Sequence, residues 1–317
     1  MSQAQRPEIG LFADPLSNDV LQRFMLQGAP VRGELVSLDT AWREVTQRHV
    51  FPRAVRTYLG ELSAAALLLS ASLKFEGSLV LQIHGDGPVA LLVAECDQAG
   101  RFRATAKLRE GQVCPEEADL ATLVNAHGKG RCVVTLDPAS GSPNRQPYQG
   151  IVPFEGDSIA DMLERYMARS EQVPTRLWLA ADEGRATGMM LQRLPDEGGA
   201  AVTDADGWNR LQQLADTVTR DELLALTPDA VARRLFWQET LHAFDARTAQ
   251  FACSCSRDKV VGMLRMLGRE EIESIVAERG SVGVRCEYCN TAYDFDAVDG
   301  VSLFLSEPPA PTSRARH

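Results

Sequence analysis

Four cysteines near the C-terminus have the residue type and the spacing for metal or thiol chemistry. One residue separates Cys253 from Cys255, two separate Cys286 from Cys289, and thirty residues lie between the two pairs. Two close thiol pairs joined by a spacer can supply the four ligands of a tetrahedral zinc ion, each pair from one tight turn. The sequence therefore predicts a metal centre formed by these four residues.

The two thiol pairs favour different kinds of chemistry. Short strands are predicted on either side of the C-x-x-C pair, Val282 to Arg285 before it and Tyr293 to Phe295 after it, with Asn290 in a left-handed turn. This setting is typical of a purely structural zinc site. The C-x-C pair favours redox chemistry, because a disulfide between Cys253 and Cys255 would close a small, strained ring, and strained disulfides are labile.

Composition and charge exclude several function classes. The chain has 317 residues, 44% of them hydrophobic, and a net charge of −10, which argues against a nucleic-acid partner. Positions 1–15 lack the apolar core of a signal peptide, and the longest apolar run, Ala64 to Leu73, is too short to cross a bilayer. We therefore expect a cytoplasmic protein without a membrane partner. The sequence contains no P-loop and no clustered histidines, so we predict no catalytic residues and no enzyme activity.

The order of the predicted elements indicates an α+β fold. A strand from Gly33 to Leu38 and a long apolar helix from Pro52 to about Leu73 are followed by antiparallel hairpins with interleaved helices. We expect residues 1–195 to form a large mixed core domain with an antiparallel sheet and helices. Within the loose N-terminal lead-in, a helix is predicted around Val20 to Gln27. Three further cysteines are isolated, and two of them, Cys96 and Cys132, are expected in the core.

A change of composition at Pro195 indicates a boundary. Residues 196–206 are acidic and rich in glycine and alanine, and short amphipathic helices follow. We predict a helical linker at 196–250, a zinc-binding domain at 251–305 and a disordered tail at 306–317. The linker is too small to form its own core, so its apolar stripe must dock on another surface. The stripe consists of Trp208, Leu211, Leu214, Val218, Leu223, Leu235 and Phe236.

These features together resemble the redox-regulated molecular chaperone heat shock protein 33 family, also called the 33 kDa chaperonin family. The pattern C-x-C, about thirty residues and C-x-x-C is that family's zinc switch. The likeness covers roughly residues 30 to 305. Further segments similar to the family, in family order, are Leu73-Lys74-Phe75-Glu76-Gly77-Ser78, Gly85-Asp86-Gly87-Pro88, Tyr148-Gln149-Gly150-Ile151-Val152-Pro153, Ser170-Glu171-Gln172, Pro174-Thr175-Arg176 and Tyr293-Asp294-Phe295.

The resemblance implies an ATP-independent holdase that prevents aggregation of unfolding client proteins under oxidative stress. It implies one Zn²⁺ per chain in the reduced, inactive form and a homodimer after activation. Oxidation is expected to form the disulfides Cys253–Cys255 and Cys286–Cys289, because each partner is the nearest thiol. The resemblance also implies that the linker at 196–250 is metastable and that the zinc-binding domain at 251–305 is the redox switch. On oxidation the linker would unfold, and its apolar stripe would bind clients.

Two other functions stay open at the level of sequence. The chain can be a zinc-ribbon interaction module that keeps its metal under oxidising conditions. It can also be a thiol–disulfide oxidoreductase, which requires one exposed cysteine of low pKa.

Overall fold

The computed structural model describes residues 18–73, 76–139, 146–195, 204 and 206–304. The N-terminal lead-in before residue 18, the predicted start of the linker at 196–203 and the predicted disordered tail at 306–317 lie outside the described residues. The chain divides into two compact units, Met1–Ala252 and Cys253–His317. Antiparallel sheets combined with helices confirm the predicted α+β class.

The strands of the described chain are mostly five to nine residues long. They are β1 (Val20–Leu26), β2 (Val31–Leu38), β3 (Gly77–His84), β4 (Val89–Asp97), β5 (Arg101–Leu108), β6 (Arg131–Pro138), β7 (Tyr148–Pro153), β8 (Thr175–Ala181), β9 (Ala186–Arg193), β10 (Leu241–Ala243), β11 (Arg247–Thr248), β12 (Gln250–Phe251), β13 (Ser281–Arg285) and β14 (Ala292–Asp296).

The helices include one long buried helix and several short amphipathic ones. They are α1 (Thr40–Thr46), α2 (Arg53–Ser72), α3 (Leu120–Val124), α4 (Ile159–Arg169), α5 (Gly207–Ala215), α6 (Arg220–Ala225), α7 (Pro228–Phe236), α8 (Arg257–Leu267), α9 (Arg269–Arg279) and α10 (Ala297–Ser302).

Two six-stranded sheets form the first unit. One has the order β10-β1-β2-β9-β8, with β11 also paired to β1, and the other has the order β12-β5-β4-β3-β6-β7. Helix α2 contacts strands of both sheets and buries fourteen of its twenty residues. Gly60 permits a close approach, because a Cβ atom at this position would lie 2.5 Å from Cβ of Ala181 on β8. The predicted long apolar helix is therefore the centre of the core.

The helix predicted around Val20 to Gln27 is wrong, because this segment is strand β1, paired with β2, β10 and β11. Leu21 packs into the core around α2, whereas Phe24 packs into a second core on the other face of the same sheet. A strand that is buried on both faces does not alternate between apolar and polar residues, so its pattern is hard to distinguish from that of a buried helix.

Helices α5, α6 and α7 cover the face of the first sheet opposite to α2. Leu211, Leu223, Leu235 and Phe236 are buried there, and the ring of Phe236 lies 5.8 Å from that of Phe24. The other three stripe residues, Trp208, Leu214 and Val218, are partly buried against the same core. The helical segment that sequence reasoning assigned to a linker thus docks on the first sheet.

The second unit is small. Helices α8 and α9, the β13–β14 hairpin and α10 surround a core whose fully buried apolar side chains are Leu264, Ile272, Val282, Phe295 and Leu303. Gly268 ends α8, and Gly280 ends α9 in the left-handed conformation. Among the described residues, these five side chains and seven partly buried ones form the apolar core, which is small for the conformational entropy that ordering this unit costs.

Candidate metal and redox centre

The C-x-C pair lies immediately before α8. Ser256 caps this helix, and its hydroxyl accepts the backbone N–H of Lys259. The ammonium of Lys259 donates in turn to the backbone oxygen of Ser254, at 2.7 Å, between the two cysteines. Cys253 and Cys255 are therefore held at a helix N-terminus, where the helix dipole favours negative charge such as that of a thiolate.

The C-x-x-C pair lies in the turn between β13 and β14. The backbone N–H of Cys286 donates to the oxygen of Thr291 at 3.0 Å, and that of Asn290 donates to the oxygen of Cys286 at 2.8 Å. Asn290 has a φ of 59°, so the predicted left-handed turn after the last thiol is confirmed. These bonds close a tight knuckle that directs both sulfurs to one side.

All four sulfur atoms lie within 4.8 Å of one another. Sγ of Cys253 is 3.6 Å from Sγ of Cys286, and Sγ of Cys255 is 3.3 Å from Sγ of Cys289. All four are free thiols; Cys289 is buried and the other three are half-buried. The fold thus brings together the four residues that sequence spacing selected, although thirty residues separate the pairs.

Two hydroxyl groups that sequence reasoning did not select contact the sulfurs. Tyr293 lies with its hydroxyl 3.1 Å from Sγ of Cys255, and the hydroxyl of Thr291 is 3.1 Å from Sγ of Cys289. The available signal was the position of both residues within four of the last cysteine, with Thr291 directly before β14 and Tyr293 within it. Groups of this kind orient metal ligands and stabilise thiolates.

Burial and these hydrogen bonds divide the four thiols into two classes. Burial raises the pKa of Cys253, Cys255 and Cys286. Burial also tends to raise the pKa of Cys289. Hydrogen bonds from the hydroxyl and N–H of Thr291 and from the neighbouring thiols outweigh this effect and lower the pKa of Cys289 to about 6. In the reduced protein near neutral pH, Cys289 is therefore the thiolate of the group.

The arrangement fits a tetrahedral zinc ion. With zinc–sulfur bonds of about 2.3 Å, the sulfurs of a tetrahedral site are about 3.8 Å apart. The two sulfur separations of 3.3 and 3.6 Å and the upper limit of 4.8 Å bracket this value. Four sulfur ligands are typical of structural zinc, and the four residues that would hold the ion leave no open position for a substrate.

The predicted client-binding stripe lies elsewhere, in the first unit. Leu211, Leu223, Leu235 and Phe236 are inaccessible in this state because they face the first sheet. Cys96 and Cys132 are buried in strands, as expected, and burial raises the pKa of each to about 12. Neither isolated cysteine is near the four-thiol centre in sequence or has the character of a reactive thiolate.

Among the described residues, no helix has both the length and the hydropathy that crossing a membrane requires.

Comparison with known proteins relates the chain to one family. The model of the Hsp33 protein family matches residues 19–296. The 33 kDa chaperonin of Methylobacillus flagellatus is 46% identical over 301 residues, which are 95% of this chain and 99% of that protein. The 33 kDa chaperonin of Chromobacterium violaceum is 46% identical over 300 residues, 95% of this chain and 98% of that protein.

The fold is also similar to a solved structure. The crystal structure of the 33 kDa chaperonin (heat shock protein 33 homolog) from Thermotoga maritima superposes with a TM-score of 0.74 at 21% sequence identity. The match covers 90% of this chain and 97% of that one. The two chains therefore share their fold.

Proposed function

The chain belongs to the Hsp33 protein family, and we propose that it is a redox-regulated holdase chaperone that works without ATP. Its relatives are named chaperonins, which are chaperones and not enzymes. The observation that carries the proposal is the convergence of four sulfurs, from two separate pairs, within 4.8 Å. Thiols gathered in this way can bind a metal when they are reduced and form disulfides when they are oxidised.

In the reduced state, Cys253, Cys255, Cys286 and Cys289 would hold one Zn²⁺ per chain. Bound zinc of this type contributes about 10–16 kcal/mol to folding. The small apolar core in the described part of the second unit supports this role, because a unit of this size rarely folds without a metal or a disulfide. The second unit is therefore folded, and the chaperone inactive, as long as the thiols stay reduced.

In the oxidised state, the same cysteines would form two disulfides. Each disulfide forms when two thiols give up two protons and two electrons to an oxidant such as hydrogen peroxide, which is reduced to water. No thiolate then remains to bind a metal, and the second unit loses the folding free energy that depends on it.

The proposed disulfides are Cys253–Cys255 and Cys286–Cys289. In the folded chain, both cross-pair distances are also short, at 3.6 and 3.3 Å, so proximity in the folded state does not select the pairing. The preference comes from the unfolding chain, in which a thiol one or two residues away is reached at a much smaller cost in entropy than one thirty residues away.

Linker unfolding would complete the activation. The stripe from Trp208 to Phe236 is docked on the first sheet, and its release would expose apolar side chains on both the helices and the sheet. Exposed apolar surface of this kind binds unfolding proteins and prevents their aggregation. We further propose that the activated chain forms a homodimer and that it works in the cytoplasm under oxidative stress.

The structure offers less support for a thiol–disulfide oxidoreductase. Such an enzyme needs an exposed thiol of low pKa. Cys289 has the low pKa, but it is only 8% exposed and its sulfur lies among three other thiols. The alternative of a constitutive zinc module differs from our proposal in one observable property, which is whether oxidation releases the metal.

The decisive experiment follows zinc release and suppression of client aggregation in the same sample. Reduced, zinc-loaded protein is treated with hydrogen peroxide with and without mild heat, and a dithiol reductant is added at the end. We expect zinc release and aggregation suppression to rise together and to reverse on reduction with zinc present. Full retention of zinc alongside aggregation suppression, or release without it, would contradict the proposal.

A further inference from the structure

Strand β7 is the outermost strand of the second sheet. Its inner edge pairs with β6 in an unbroken register from Arg131 opposite Pro153 to Leu136 opposite Tyr148. Within the described ranges, no strand pairs with the other edge. An edge strand presents backbone N–H and C=O groups that can pair with another extended chain.

Apart from Pro153 at its end, β7 lacks the sequence features that usually protect an edge strand. Its six residues, Tyr148 to Pro153, carry no charge, and its register contains no bulge. Tyr148 is 48% exposed and Ile151 is 70% exposed, so two large apolar side chains flank the open backbone. Proteins normally block such edges with charged side chains, prolines, bulges or a covering element, and of these β7 has only the proline at its last position.

The outer strand of the other sheet, β8, shows what a protected edge looks like in the same molecule. The carboxylate of Glu164 accepts the backbone N–H of Leu177 at 2.7 Å, and the guanidinium of Arg220 donates to the backbone oxygen of Ala181. Helix α6 also contacts this strand. Within the part of the chain that the structure describes, side chains and a helix cover the edge of β8, whereas no strand pairs with the outer edge of β7.

A small cleft of positive charge borders the end of β7. It lies between β7 and α4, and its lining includes Ile151, Glu155, Arg165 and Arg169. Glu155 pairs with both arginines, at 3.3 and 3.0 Å, so one carboxylate is shared by two guanidinium groups. The exposed Arg131 lies opposite the end of β7 in the register and adds a third positive charge. An acidic group is therefore the complementary partner at this end.

We propose that β7 binds an extended, uncharged and apolar segment of a client protein as an additional strand, with acidic client residues at the Pro153 end. This proposal rests on the proposed chaperone function for the nature of the partner. Main-chain hydrogen bonds supply affinity in such β-addition, and the alternating side chains supply selectivity. The segment contacts Ile151 and Tyr148 while its acidic flank pairs with Arg165 and Arg169.

The size of the edge favours a flexible segment over a second copy of this chain. A stable dimer interface buries about 1,200–2,000 Å² in total, which two six-residue edges do not provide. A client segment does not need an interface of this area at β7 alone, because it can extend onto other surfaces of the same chaperone molecule and gain affinity by multivalency. The edge is present in the chain with free thiols, where one weak site alone does not suppress aggregation, so this site is separate from the buried stripe of the linker.

The test uses the full-length, reduced, zinc-loaded chain and a short fluorescent peptide that alternates valine and threonine and carries glutamates at both ends. Fluorescence anisotropy measures its binding. We expect weak, saturable binding that N-methylation of alternate peptide bonds abolishes, because a methylated nitrogen cannot donate to a strand. A matched peptide with lysines in place of the glutamates should bind about tenfold more weakly.

Two variants assign the binding to β7. Ile151→Lys should weaken peptide binding about tenfold, whereas Val50→Lys, a matched change at a fully exposed valine away from β7, should leave it unchanged. Arg169→Glu should remove the preference for the acidic peptide. The proposal is overturned by equal binding of the N-methylated peptide, or by equal effects of the two lysine variants.

Two further outcomes separate this proposal from others. A concentration-dependent dimer that Ile151→Lys abolishes, without peptide binding, would assign the edge to a second copy of the chain and overturn the client site. Redox-gated suppression of aggregation is measured on the same variants. If the wild-type chain shows no redox-gated suppression of aggregation, the proposed function is contradicted. If it shows this suppression but does not bind the peptide, only the β7 site is contradicted.

Discussion

At the scale of single residues, the centre depends on side chains that differ in how easily they lose a proton. Three of the four thiols have a raised pKa because of burial, whereas hydrogen bonding lowers that of Cys289 to about 6. Metal ligation requires all four as thiolates. Proton release should therefore accompany metal binding, and each cysteine should be necessary.

Zinc binding should depend on each of the four cysteines and on no other. Cys286→Ser removes one of four thiolates, and we expect the protein to lose its zinc to a chelator of moderate affinity that does not strip the wild type. Metal analysis after dialysis measures this. Cys114→Ser is the matched control, because Cys114 is an isolated thiol. Retention of tightly bound zinc by Cys286→Ser would exclude the proposed site.

Zinc binding to the reduced, metal-free protein at pH 7 should release about three protons, because three thiols titrate above neutral pH and Cys289 has already lost its proton. The apparent affinity should therefore rise with pH up to the pKa values of those three thiols. Titration calorimetry in two buffers of different ionisation enthalpy counts the protons. Release of one proton or none would contradict this distribution of pKa values.

At the scale of elements, an arginine joins the beginning and the end of the segment that carries α5, α6 and α7. Arg210 on α5 pairs with Asp204 just before that helix, at 2.5 Å, and with Glu239 just after α7, at 2.6 Å. The backbone N–H of Asp204 donates to Gly28, and the backbone oxygen of Thr240 accepts from Gln27. Both ends of the helical segment are thus attached to the β1–β2 turn, with Arg210 between them.

Loss of this bridge should make the linker easier to open. Arg210→Ala leaves the largely buried Glu239 without its cation. We expect the free energy of opening α5–α7 to fall by about 1–2 kcal/mol. This value lies in the lower part of the range for a buried charge that loses its partner, because Arg210 is more than a third exposed. Hydrogen exchange of the linker amides measures this. Arg233→Ala, which breaks only the surface pair with Asp229, should cost less than about 1 kcal/mol. Equal effects of the two variants would refute the bridge.

Undocking of the apolar stripe should activate the reduced protein. Leu235→Asp and Trp208→Asp place a charge against the apolar face of the first sheet, which disfavours docking. We expect both reduced, zinc-loaded variants to suppress client aggregation where the wild type does not. Met266→Asp, at an exposed position of α8, is the control and should stay inactive. If the linker is demonstrably undocked and the variants still fail to act, the linker is not the gate.

At the scale of the whole molecule, the two thiol pairs are attached to the rest of the chain differently. Phe251 lies in β12, which pairs with β5, and the backbone N–H of Ala252 donates to the oxygen of Phe102 at 2.8 Å. The chain is therefore held in the second sheet up to the residue before Cys253. The C-x-x-C pair instead lies on a hairpin of its own, β13–β14.

The disulfides should form in a fixed order as a result. The hairpin can keep its shape around a Cys286–Cys289 bond, so we expect this bond to form with peroxide alone. The strained Cys253–Cys255 ring should need the chain before it to loosen, and hence mild heat together with peroxide. Peptide mapping over time, with and without heat, measures the order. Early formation of Cys253–Cys255, or dominant cross-pairs such as Cys255–Cys286, would contradict the scheme.

The sequence by itself determined the four-thiol centre and the family resemblance. The spacing within each cysteine pair is local, and a tight turn needs only neighbouring residues to form, as the left-handed Asn290 illustrates. The long helix α2 and the hairpins were predictable for a similar reason, because their apolar periods and turn residues are local properties. The isolated cysteines in apolar runs were likewise placed correctly in the core.

Only the tertiary structure decided the features that depend on what lies opposite a residue. Residues Val20 to Leu26 are a strand because both faces of their sheet are covered, and no local pattern reports that. The docking surface of the stripe, the hydroxyls that contact the sulfurs, and the difference between the covered edge at β8 and the open edge at β7 are all set by packing between segments far apart in sequence. Local sequence determines which contacts a segment can make, whereas the free energy of the whole fold decides which partner it meets.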